Sequence, residues 1–194
     1  MAGISVVTAS QSEPITIEEL KTHLRVDIAD EDTLLNSLIQ AAREYCERIT
    51  GRQFVSATYD QTFEKWEDNL VLSYPPLSSV TSVKYYDEDG VEQTLSSAVY
   101  DVVTNEEPGY IRLAYNQSWP TIRSQNEPIT VRFVAGYGVD DDVPSVLKQA
   151  IKLLAGHLFE HREAVARLHR GETMTELPLA FGTLIWGYRM LEAC

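Results

Sequence analysis

One stretch of this chain holds residue types that could do chemistry together. In "AGHLFEHREAV", Ala155 to Val165, the order is His157, Glu160, His161. Read as H-x-x-E-H on a helix, this is a zinc-binding pattern of one metallopeptidase class, because side chains at i and i+4 share a face. A catalytic zinc needs a third protein ligand. Candidates downstream are few, among them His169, Glu172, Glu176 and Glu192, and no second helix with an acidic motif follows. Leu147, Ile151, Leu154 and Leu158 draw an apolar stripe on the same helix. At roughly 100° per residue, His161 falls on that stripe, His157 at its edge and Glu160 well away from it. The spacing favours histidines packed in a core or an interface. A zinc metallopeptidase using His157, Glu160 and His161 is the alternative.

Other chemistries find less support. Asp140, Asp141 and Asp142 are adjacent, whereas calcium loops alternate their ligands around a glycine; before Pro144 they suit a helix N-terminus. "AGYG" matches neither phosphate-binding glycine loop, and no serine stands in G-x-S-x-G. Cys46 lies on an apolar helical stripe, which reads as a buried thiol. We expect no catalytic residue, no metal and no cofactor.

The elements that would position these residues are legible in the periodicities. Residues 1–13 read as a flexible arm. Thr16 and Glu19 have capping-box spacing, and Ile15 with Leu20 can form a hydrophobic staple, opening a short helix to about Arg25. A second helix begins near Asp30, Glu31 and Asp32, carries Leu34, Leu38, Ala41, Ala42, Tyr45, Cys46 and Ile49 as its apolar stripe, and ends at Gly51. The period then shortens to two. Val55, Ala57, Tyr59, Gln61 and Phe63 share one strand face, Asp89-Gly90 turns a hairpin, and Pro108-Gly109 separates a further strand pair. Ile129, Val131 and Phe133 alternate in the last strand. A long helix starts near Pro144. The expected fold class is α+β: two N-terminal helices, an inserted and mainly antiparallel β-sheet, one long C-terminal helix and an extended apolar C-terminal tail. In domain terms, residues 14–170 form one α+β domain, with helices in 16–51 and 144–169 flanking a β region in 53–136, and 171–194 form the tail.

Charge bounds the partners. The formal net charge is −13. Residues 1–50 hold nine acids against four bases, 51–144 fifteen against six, and 145–194 five against six. An acidic body disfavours phosphate backbones and anionic lipid, which argues against an oligonucleotide-binding β module. The N-terminus lacks the features of a secretory signal, and "LPLAFGTLIWGY" is shorter than the ~20 residues of a membrane span. Two cysteines in no framework favour a reducing compartment. The tail gathers Leu177, Leu179, Phe181, Leu184, Ile185, Trp186 and Tyr188 within a dozen residues. Composition leaves two readings level: the segment folds back over its own body, or it docks on a partner through anchors such as Trp186, Tyr188 and Arg189.

"ITIEELKTHLRVD" and "DTLLNSLIQAAREYCERITGRQF" resemble the opening of the head–tail connector proteins of tailed bacteriophages, also called head-completion or adaptor proteins, with relatives in phage-derived gene transfer agents. "LSYPPLSSVTSVKYYDEDG", "PGYIRLAYNQSWP", "ITVRFVAGYG" and "DVPSVLKQAIKLLAGHLFEHREAV" continue the pattern in order, so the likeness covers about Ile15 to Arg189. The resemblance implies a structural protein of a virion or virion-like particle, assembled in the bacterial cytoplasm and placed at the capsid–tail junction. It implies a ring, dodecameric, beneath the portal protein, in contact with tail-side connector, stopper or terminator proteins. DNA would only pass through its channel. It tips the tail toward docking on the portal, through Leu177, Pro178, Leu179, Phe181, Leu184, Ile185, Trp186, Tyr188 and Arg189. Lys148, Lys152, Arg162, Arg167 and Arg170 are expected to face acids of a neighbouring subunit.

Overall fold

In the computed structural model, residues 3–27, 29–161 and 179–190 are described. In chain order the elements are β1 (Ile4–Thr8), α1 (Ile17–Leu24), α2 (Asp32–Thr50), β2 (Ala57–Phe63), β3 (Asn69–Val71), β4 (Leu77–Tyr86), β5 (Glu92–Thr94), β6 (Tyr100–Val103), β7 (Tyr110–Leu113), β8 (Ile129–Ala135), α3 (Ser145–Glu160) and α4 (Leu179–Trp186). Helices and two antiparallel sheets together make the fold α+β. The chain divides into two compact units, one of Met1–Gln11 with Val55–Gly138, the other of Ser12–Phe54 with Val139–Cys194. Among the described residues no helix is long and apolar enough to cross a membrane.

The β unit contains a five-stranded sheet, ordered β1-β2-β8-β4-β5, and a three-stranded sheet, ordered β3-β7-β6. Every pairing is antiparallel. The two-residue period has its expected cause. Ala57, Tyr59 and Gln61 of β2, and Ile129, Val131, Phe133 and Ala135 of β8, are buried while the residues between them are not. All but Gln61 share one cluster with Leu70, Ile111 and Tyr100 from the second sheet, so both sheets contribute to one core. Gln61 is the polar member of this inward face, and both ends of its amide are hydrogen-bonded. Its Nε2 donates to the Val71 carbonyl at 3.0 Å and its Oε1 accepts from the Ser73 N–H at 2.9 Å. The side chain thereby ties β2 to the β3 segment. Gly109 is required by crowding, since a Cβ there would lie 2.5 Å from that of Leu77.

The arm expected to be loose is ordered over Ile4–Thr8, where it adds a strand to the sheet beside β2. All five residues of β1 are exposed, so no alternation of buried and exposed positions marks the strand. Backbone pairing holds it, and that leaves little trace in side-chain pattern.

In the helical unit, α1 opens as expected. The Glu19 N–H donates to Thr16 Oγ1 at 3.2 Å, and the Thr16 N–H donates to Glu19 Oε2 at 3.0 Å. Gly51 closes α2 at φ 69°, a left-handed value that favours glycine. The buried line on α2 is Leu35, Ile39, Ala42, Cys46 and Thr50. It is rotated by about one residue from the stripe read in the sequence, and Leu34, Leu38, Tyr45 and Ile49 are only half-buried flanks. Adjacent apolar pairs at 34–35 and 38–39 define two equally good lines, and only packing chooses between them. On α3 the buried residues are Leu147, Ala150, Ile151, Leu154, Ala155 and Gly156. A Cβ on Gly156 would sit 3.0 Å from Leu24 Cδ2, so α3 and α1 are in close contact there. Glu47 sits half-buried and accepts from Arg43 Nη1 at 2.7 Å, Gln53 Nε2 at 3.0 Å and the Phe54 N–H at 2.9 Å. Arg43 also donates its Nε to Glu13 at 2.7 Å. Cys46 is buried, and burial pushes its thiol up to about 12, which suits an inert core thiol.

Candidate docking site

The described part of the apolar tail is neither extended nor wholly free. Residues 179–186 form two turns of helix, a natural outcome for "LAFGTLIW" once one face can be buried. Phe181 and Ile185, one turn apart, are 2% and 3% exposed, and the Phe181 ring lies 6.1 Å from that of Tyr45 on α2. These two side chains follow the fold-back reading. Leu184 is half-buried.

Trp186 does not join that packing. At the end of α4 it is 69% exposed, the largest aromatic surface offered by this segment. The Arg189 guanidinium lies 5.3 Å from its ring centroid, a cation–π contact that keeps an aromatic and a cation together at the surface. The backbone beneath them is fastened. The Arg189 N–H donates to the Trp186 carbonyl at 3.3 Å, and the Met190 N–H donates to the Thr50 carbonyl at 2.8 Å. Arg52, 8% exposed, donates its Nε to the Tyr188 carbonyl at 2.6 Å and lies 5.9 Å from the Tyr188 ring centroid. Arg52 was missed in the sequence because a lone arginine after a helix cap carries no signal. The outcome is a fastened segment with Phe181 and Ile185 inward and Trp186 and Arg189 at the surface. Leu177 and Pro178 lie outside the described residues, as does the side chain of Leu179.

The basic set expected at a subunit contact is distributed differently. Lys152 Nζ donates to Glu19 Oε1 at 3.1 Å within the same chain, and Lys148 also acts on Glu19. Glu19 is held below its ordinary value, chiefly by the hydrogen bond from the Thr16 backbone and then, against the cost of burial, by Lys152 and Lys148. Arg162, Arg167 and Arg170 lie outside the described residues.

The histidine motif ends α3. The His157 and His161 rings stack with centroids 4.5 Å apart, and the His161 N–H donates to the His157 carbonyl at 3.0 Å, closing the last turn. Glu160 is exposed. Among the described residues no three His, Cys, Asp or Glu side chains form a group able to hold a metal ion. His169, Glu172, Glu176 and Glu192 lie outside them. Asp142 accepts the Val139 N–H at 3.2 Å, capping the turn before α3.

Residues 13–187 match the family described as "Head completion protein", and the chain belongs to that family. No curated protein matches it. Among solved structures, a chain of the "Virion of native gene transfer agent (GTA) particle" is 26% identical, with a TM-score of 0.78 and coverage of 98% of this chain and 97% of that one. A chain from the "Neck of empty GTA particle computed with C6 symmetry" is also 26% identical, with a TM-score of 0.79 and coverage of 99% and 97%. A chain from the "Neck of native GTA particle computed with C12 symmetry", 22% identical with a TM-score of 0.77 and coverage of 99% and 97%, shares the fold.

Proposed function

We propose that this chain is a structural subunit of the head–tail junction of a phage or phage-derived particle. It joins capsid to tail, closes with its copies into a twelve-membered ring beneath the portal, and leaves an axial channel for DNA. Family membership and the likeness to neck proteins of gene transfer agents support the connector role. The neck described with C12 symmetry motivates the ring size. The role is architectural and assigns catalysis to no residue. Tail-side connector, stopper or terminator proteins occupy the ring's other face.

The observation that carries portal docking is the exposure of Trp186 on a helix whose opposite face is anchored. Buried aromatics and arginines dominate binding energy at interfaces, and truncating one typically costs ~2 kcal/mol or more. Docking therefore uses the outward pair Trp186 and Arg189 with half-buried Leu184 and Tyr188, while Phe181 and Ile185 hold the helix in place. The test is co-purification with the cognate portal protein. Trp186→Ala should weaken capture about 30-fold, the equivalent of that energy, with an unchanged melting temperature; deletion of residues 171–194 should abolish it. Capture by the truncated chain equal to wild type would remove the docking reading.

The acidic body suits a channel, because phosphate is repelled and slides rather than binding. Ring closure requires two different side faces in a head-to-tail arrangement. Arg162, Arg167 and Arg170 supply the basic face, meeting acids of the neighbouring copy.

A further inference from the structure

The five-stranded sheet ends in two open edges, β1 on one side and β5 on the other. Their hydrogen-bonding groups can be assigned residue by residue, because antiparallel partners alternate between bonded and non-bonded pairs. The Thr62 N–H donates to the Gly3 carbonyl at 2.8 Å, so Gly3 and, two residues on, Ser5 turn their backbone groups toward β2. Ile4 and Val6 therefore turn theirs outward. On the other edge the Leu95 N–H donates to the Val83 carbonyl at 2.8 Å, so Leu95 and Gln93 face β4. Glu92 and Thr94 face outward. Each edge thus offers two outward residues at the same two-residue spacing.

The edges are also matched in direction and charge. Four successive antiparallel pairings leave β1 and β5 running the same way. Copies related by a small rotation, as around a ring, would bring β5 of one beside β1 of the next in parallel. In that arrangement one residue seats between two of its neighbour's. The β1 strand "ISVVT" has no charge and no proline, the usual guards of an exposed edge, and Ile4 and Val6 are 38% and 58% exposed. On β5, Glu92 is already neutralised by Lys84 Nζ at 2.7 Å, so it meets the uncharged strand without an orphan charge.

We propose that β1 of one copy pairs with β5 of the next, continuing the sheet from subunit to subunit. Ile4 seats opposite Gln93, donating its N–H to the Glu92 carbonyl and accepting from the Thr94 N–H, and the Val6 N–H donates to the Thr94 carbonyl. That this contact closes a ring rests on the ring proposed above. Within one chain the two strands are four strand spacings apart, about 19 Å, so a disulfide between them can form only between copies.

The experiment uses the full chain carrying Ile4→Cys, Gln93→Cys and Cys194→Ser, assembled with its cognate portal protein, mildly oxidised and run on a non-reducing denaturing gel. A ladder of covalent multimers that collapses on reduction is the expected result. Ladders absent from particles that still show rings overturn the edge pairing and leave the ring reading standing. Ladders without closed rings uphold the edge pairing and remove the ring; absence of both removes both. Covalent dimers from Ile4→Cys alone would show two β1 strands meeting and would overturn the proposal. Independently, Val6→Pro deletes an outward N–H while sparing every bond to β2. It should leave thermal unfolding unchanged and reduce ring formation at least tenfold; rings at the wild-type level overturn the proposal.

Discussion

Trp186, Phe181 and Ile185 are all large side chains and stand within six residues, yet the first is exposed and the other two are in the core. Position on the helix decides this: Phe181 and Ile185 are one turn apart on the inner face, while Trp186 lies one residue past it. Gln61 makes the complementary point, a polar side chain buried because two backbone groups need it. Gln61→Leu keeps the volume but orphans the Ser73 N–H and the Val71 carbonyl. It should cost about 1–2 kcal/mol, since each of the two part-buried hydrogen bonds lost is worth about 1 kcal/mol. Urea unfolding is the measurement, with a lower midpoint and an unchanged slope expected.

At the scale of elements, α1 depends on Glu19, which caps its own helix and pairs with Lys152 on α3. Its carboxyl is depressed in the folded protein, first by the Thr16 backbone bond. A depressed carboxylate contributes stability above its unfolded value and loses it as pH falls through the folded one. Glu19→Gln retains an oxygen for the Thr16 N–H but cannot titrate. The variant should lose less stability than wild type as pH drops through the acid range, and equal slopes in unfolding free energy against pH would contradict this.

For the whole molecule, the balance of −13 sets the response to nucleic acid and salt. Duplex DNA should show no saturable binding at physiological ionic strength, measured by fluorescence anisotropy; tight, salt-sensitive binding would contradict an acidic channel. Contacts within the proposed ring should behave in the opposite sense. If the C-terminal arginines face a neighbour's acids, Arg162→Glu with Arg167→Glu should weaken assembly most at low salt, where screening is least. Assembly untouched at every salt concentration would remove that contact.

Much of this was legible in the residues themselves. The capping box at Thr16 and Glu19, the glycine stop at Gly51, the Asp89-Gly90 hairpin and the alternation through Tyr59 and Phe133 are local rules, each satisfied within a few residues of chain. The order of such segments was enough to place the family. What the tertiary structure alone decided depends on partners distant in sequence. It rotated the buried line of α2 onto Leu35 and Ile39, drew an unpatterned N-terminal segment into a sheet edge through backbone bonds, and engaged Lys152 with Glu19. It also divided the apolar tail, because a two-turn helix can bury one face only and must leave Trp186 outside.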